Sequence, residues 1–166
     1  TATDRIRAIL ELGAPPQASL KHVKTDFPLA EVIFDDLILP QVDYKTKNEA
    51  LDGLANLLIS SGHTYEGFLL DVYKREAMGP TIIADNIAIP HGNPGNVVNP
   101  AIAIAVMKDP IEWWAEKKVE FVFMLALKED SKEIIRSFYS LIKAMFLGKS
   151  NNIQLNMPGN WNNTCN

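Results

Sequence analysis

Apolar residues recur every three to four positions in four stretches of the chain, and elsewhere they alternate or run together. Ile6, Ile9 and Leu10 share one helical face in a first segment over residues 4–12, which Gly13 and Pro15-Pro16 stop. Thr46-Lys47-Asn48-Glu49 forms a capping box ahead of Leu51, Leu54, Ala55 and Leu58, and Gly62 offers a left-handed exit. Thr64 is the expected N-cap of the next helix, whose face carries Tyr65, Phe68, Leu69 and Val72 and which Gly79-Pro80 ends. A last amphipathic helix follows a second capping box, Asp130-Ser131-Lys132-Glu133, and presents Ile134, Ile135, Phe138, Leu141, Ile142 and Met145.

Between these helices the period shortens. Val32 to Pro40 reads as an extended segment. Thr81–Ala84 and Ile87–Ile89 flank Asp85-Asn86, a pair suited to a tight hairpin. Ala101–Met107 has little polar alternation, so both of its faces are expected to be covered, and Val119–Leu127 reads as a second buried strand. Strands mixed with helices and no internal repeat predict a single α/β domain, a mixed sheet flanked by helices on both faces. Its expected limits are 30–149. Residues 1–29 would form an N-terminal helix and linker arm, and 150–166 an irregular tail in which Asn is seven of the residues from 151 onward.

Composition narrows the function. Among 166 residues, 47% are hydrophobic and 22% charged, as in ordinary globular chains. A net charge of −4 argues against nucleic acid as a direct partner, because duplex binding needs a basic face. One cysteine, Cys165, excludes an internal disulfide, and with three histidines it makes neither a structural zinc site nor another metal or cofactor site. No apolar run reaches membrane-spanning length, and the expected setting is cytoplasmic. The opening residue, Thr1, fits a processed chain or an excised segment.

Most suggestive clusters have plain readings. Leu147-Gly148-Lys149-Ser150 ends like a phosphate-binding loop but lacks its first glycine, Lys143 standing there instead. Asn162-Asn163-Thr164 is a chance sequon. Trp113-Trp114 is a packing corner at the start of a strand, Lys117-Lys118 a solvated turn, and Asp35-Asp36 and Glu129-Asp130 surface charge. His22 lies in the aperiodic arm, and His63 in an interhelical turn where its ring would be solvated. His91 differs, because it stands where Ile87-Ala88-Ile89-Pro90 runs out of the sheet. Pro90 fixes its own φ, donates no amide hydrogen and biases Ile89 to extended geometry, while Gly92 removes bulk beside the imidazole.

Tyr73-Lys74-Arg75-Glu76, then Thr81, then Ile87–Gly92 resembles the IIA component of the fructose–mannitol branch of the bacterial phosphoenolpyruvate-dependent sugar phosphotransferase system. The resemblance covers about residues 30–147. It implies that His91 accepts a phosphoryl group from the carrier phospho-HPr and donates it to a cysteine or histidine of a IIB partner, in association with a membrane IIC component. It implies that Arg75 supplies forked donors to the phosphoryl oxygens. Glu76 would orient that arginine or close the helix in a salt bridge, and Thr81 would hydrogen-bond in the site or cap the strand. The family commonly has a second histidine at the start of the last helix, where this chain has Ile134. Such domains also occur in sugar-responsive transcription regulators, so the alternative reading is a regulatory module switched by phosphorylation of the same histidine.

Overall fold

The computed structural model describes residues 31–146. The helix expected over 4–12, the arm with His22, the Leu147–Ser150 segment and the Asn-rich tail with Cys165 lie outside the described residues. In chain order come β1 (Ile33–Val42), α1 (Lys47–Ser60), α2 (Phe68–Ala77), β2 (Ile82–Ala84), β3 (Asn86–Ala88), β4 (Ala101–Trp114), β5 (Lys117–Ala126) and α3 (Lys132–Phe146). The strands form a five-stranded sheet in the order β1-β4-β5-β3-β2. β1 runs parallel to β4 and β3 parallel to β5, while β4–β5 and β2–β3 are antiparallel.

Strand alternation splits the core in two. In β4, Ile102, Ile104 and Val106 point to one face and Ala101, Ala103, Ala105 and Met107 to the other. The β-branched face packs against Ile135, Phe138, Tyr139 and Ile142 of α3, with Phe123 and Phe138 edge to face at 5.2 Å. The alanine face lets α1 and α2 lie close, and there Leu51, Leu54, Leu58 and Phe68 are wholly buried. Each such side chain contributes roughly 1.5–3 kcal/mol of transfer free energy. Helices therefore cover both faces, as the pattern predicts.

The cap of α1 forms as expected: the Thr46 hydroxyl accepts the Glu49 amide at 3.1 Å. The Glu49 carboxylate returns to the Lys45 amide at 2.7 Å, one residue earlier than the usual box. Gly62 takes φ +83° at the exit. The hairpin at Asp85-Asn86 also forms, with Asn86 at φ +79°.

Four expectations fail at or between element ends. Thr64 does not cap α2, which begins at Phe68 behind Gly67. Thr64 is instead buried in a bridge to Val97, between the bonds Val98 N–H to His63 O (2.8 Å) and Tyr65 N–H to Asn96 O (2.9 Å). A segment committed to that pairing cannot start a helix, and Tyr65 is left 59% exposed. His63 is not simply solvated, because its Nδ1 lies 3.1 Å from Asn99 O and its ring 5.0 Å from that of Phe34. Trp113-Trp114 ends β4 rather than starting a strand, since β4 runs on past an irregularity between Val106 and Ile111. The turn falls on Ala115-Glu116, at φ +45° and +67°, so Lys117-Lys118 opens β5. Two positive φ values suit the twist of a two-residue hairpin, but neither residue type announces them.

Candidate functional site

β3 leaves the sheet through Ile89-Pro90-His91. The Ile89 amide donates to Thr81 O at 2.9 Å, and the Leu125 amide donates to Pro90 O at 2.9 Å. His91 is thereby set beside Leu125, in a parallel bridge at the carboxyl ends of β3 and β5. Its ring is buried, and Nδ1 lies 3.1 Å from the carbonyl oxygen of Ile89. A carbonyl only accepts, so Nδ1 carries the hydrogen, and in the neutral ring the lone pair falls on Nε2. Chemically this is an oriented nucleophile.

The last turn of α2 supplies charge. Arg75 is half-buried, and its Nη1 donates to Gly79 O at 3.1 Å across the exit made by Gly79 at φ +147°. Glu76 is buried and does not turn to Arg75. Its carboxylate accepts from the Thr81 hydroxyl and pairs with Lys47 Nζ at 2.9 Å. The reason is helical geometry: consecutive residues do not face each other, and Glu76 continues the buried row Phe68, Val72. Lys47 also sits over Trp113 and Trp114, 5.4 and 5.9 Å from the ring centroids. Thr81 thus binds at both ends, hydroxyl to Glu76 and carbonyl to Ile89.

The loop after His91 is clamped by the first turns of α2. A Cβ on Gly92 would meet the Phe68 ring at 2.8 Å, so the glycine admits Phe68 rather than opening space beside the imidazole. Asp71 accepts from the side-chain amide of Asn96 at 2.5 Å and faces the Asn93 amide at 3.4 Å. Beyond this loop an open cleft of about 510 Å³ lies between Pro94, Gly95 and Val97 and the turn at Lys128–Asp130 that leads into α3. Ile134 is half-buried on α3 and packs against the β-branched core.

The sequence reading misses Lys47 and Asp71. A lysine in the first turn of a helix opposes the macrodipole, and that anomaly is the signal that it serves another partner. Asp71 carries no such mark. Among the described residues no group of three or more His, Cys, Asp or Glu is placed to hold a metal ion, and no helix is long and apolar enough to cross a membrane.

The sequence model of the family described as "Phosphoenolpyruvate-dependent sugar phosphotransferase system, EIIA 2" matches residues 31–156. Among curated proteins, the transcriptional regulator ManR of Bacillus subtilis is 35% identical over 104 residues, covering 63% of this chain and 16% of that protein. The 2-O-alpha-mannosyl-D-glycerate-specific EIIABC component of Escherichia coli is 31% identical over 111 residues, covering 64% and 17%. The chain thus spans under a fifth of the length of either. Among solved structures, the IIA mannitol protein of Escherichia coli superposes with a TM-score of 0.60 at 20% identity, covering 68% of this chain and 82% of that one. The nitrogen regulatory protein IIA-Ntr of Neisseria meningitidis gives 0.60 at 19% identity, covering 83% and 99%.

Proposed function

Since the chain belongs to the EIIA 2 family of the phosphoenolpyruvate-dependent sugar phosphotransferase system, we propose that its phosphoryl carrier residue is His91. The donor is phospho-HPr and the acceptor a cysteine or histidine of a IIB component, in a cytoplasmic setting. The Nε2 lone pair attacks phosphorus as the P–N bond to the donor histidine breaks, and the donor imidazole leaves with that electron pair. Ile89 O holds the Nδ1 proton throughout. The IIB nucleophile later attacks the same phosphorus, and His91 departs as neutral imidazole. Such transfer asks the protein for in-line placement and for charge on the equatorial oxygens to be met. Arg75 meets it with guanidinium donors other than the one held by Gly79.

The observation that carries this reading is the contact of His91 Nδ1 with Ile89 O at the end of β3, which aims one nitrogen and ties down the other. Incubation with phosphoenolpyruvate, enzyme I and HPr is expected to add one acid-labile phosphoryl group, absent in His91→Ala. Label that persists in this variant, on His22 or His63, overturns the assignment.

A second reading has its own support, because ManR is by its name a transcriptional regulator. In it, phosphorylation of His91 sets the activity of a longer regulatory polypeptide and no sugar is charged. Adding a IIB acceptor separates the two: a carrier drains its label, whereas a regulatory module keeps it. A helix-turn-helix and regulatory repeats on the same polypeptide decide for the regulator.

A further inference from the structure

We infer that Lys47 is a positioning residue for His91, acting through a buried polar string that ends on the imidazole. The string has four links. Lys47 Nζ pairs with the Glu76 carboxylate at 2.9 Å, and that carboxylate accepts from the Thr81 hydroxyl. Thr81 O then accepts the Ile89 amide at 2.9 Å, and Ile89 O lies 3.1 Å from His91 Nδ1. It joins α1, α2, the β2–β3 hairpin and the nucleophile, which no single element could align.

Each link depends on the one before. Glu76 is only 3% exposed, and its carboxylate is held in that place by the ion pair with Lys47. Lys47 is itself only 19% exposed and is fixed over the Trp113 and Trp114 rings at the end of β4. The Glu76 carboxylate oxygen accepts from the Thr81 hydroxyl, so it sets the direction of that hydroxyl and anchors the start of β2. That anchor places the carbonyl that receives the Ile89 amide. Pro90 restricts Ile89 to extended geometry, so with its amide held the Ile89 carbonyl has one direction left, toward His91. Without Lys47 the buried carboxylate loses the ion pair that fixes it, and the Thr81 hydroxyl and the links beyond it lose their anchor.

This inference rests on His91 being the phosphoryl acceptor, but its first readout does not. Long-range 1H–15N correlation of the His91 ring is expected to show the Nδ1–H tautomer in the wild type and a raised Nε2–H fraction in Lys47→Met. The phosphorylation rate is expected to fall about tenfold in parallel, as small misplacements of a nucleophile do. Lys47→Arg is expected to restore both, and so is Lys47→Met combined with Glu76→Gln, whose amide oxygen accepts from Thr81 without a counter-charge. If Lys47→Met does not fold, Thr81→Val removes the middle link with both charges in place, and the same tautomer shift is expected. A wild-type tautomer and rate in the folded variants overturns the inference, as does a loss of stability alone. A wild type that takes no phosphoryl group while the tautomer still follows Lys47 overturns the carrier reading and leaves the string standing.

Discussion

At the scale of single residues, the site separates charge from geometry. On the proposed reading Arg75 serves as a charged fork, and a lysine there keeps the charge but loses the paired donors. Hydrogen bonds to charged groups are worth about 1.5–3 kcal/mol. Arg75→Lys is therefore expected to slow phosphorylation by roughly one to two powers of ten, with the denaturation midpoint near that of the wild type. An unchanged rate in a quench-flow assay would mark Arg75 as only a helix-end cap for Gly79 O. Gly92 is set by geometry alone. Its missing side chain is occupied by the fully buried Phe68 ring at 2.8 Å, so Gly92→Ala overpacks the site at a cost of about 1–3 kcal/mol. Urea denaturation checks this, and adding Phe68→Leu is expected to return part of the loss. The Gly next to His91 is visible in the chain, but what fills its space comes from another helix and is not.

At the scale of elements, α1 and α2 are joined by more than apolar packing. The Tyr73 hydroxyl donates to Asp52 at 2.6 Å, and burial first, then this bond to a carboxylate, pushes its pKa up to about 12. The folded state thus keeps the phenol proton at pH values where the unfolded chain, near 10, has released it. Its contribution is complete below pH 10 and is lost as pH rises toward 12. Stability measured from pH 9 to 12 is expected to fall more steeply in the wild type than in Tyr73→Phe, which starts about 1 kcal/mol lower from the lost bond. An identical slope in both would assign the alkaline loss to other groups. The rows of leucines in α1 and the apolar face of α3 are legible because 3.6-residue periodicity needs only local sequence. Element ends are not. Thr64 looks like a cap until Val97 claims it, and Ala115-Glu116 turns a hairpin without a turn residue because Trp114 and Lys117 are already paired. Glu76 is legible in part, since it falls in phase with Phe68 and Val72, but its partner Lys47 lies on another helix.

At the scale of the whole molecule, the sheet order places His91 and the start of α3 at one end. Leu125 bridges His91, β5 ends at Ala126, and the turn from Lys128 to Ser131 sends the chain straight back into α3. A helix N-terminus binds phosphate through backbone amides and its dipole, without any side chain. On the proposed carrier reading, the start of α3 is expected to stand in partly for the second histidine that the family resemblance implies where this chain has Ile134. On that reading Ile134→His adds a donor beside the phosphoryl group, and it is expected to raise the rate of transfer to a matched IIB protein or lengthen the lifetime of phospho-His91. No new phosphorylation site is expected, since His91→Ala in the same background should stay unlabelled. Ile134 is half-buried against the β-branched core, so the variant also gives up part of that packing, on the order of 1 kcal/mol. Thermal unfolding therefore has to accompany the kinetics. Lower stability with both kinetic measures unchanged would show that position 134 belongs to the core and that α3 gives the phosphoryl group no side-chain contact there.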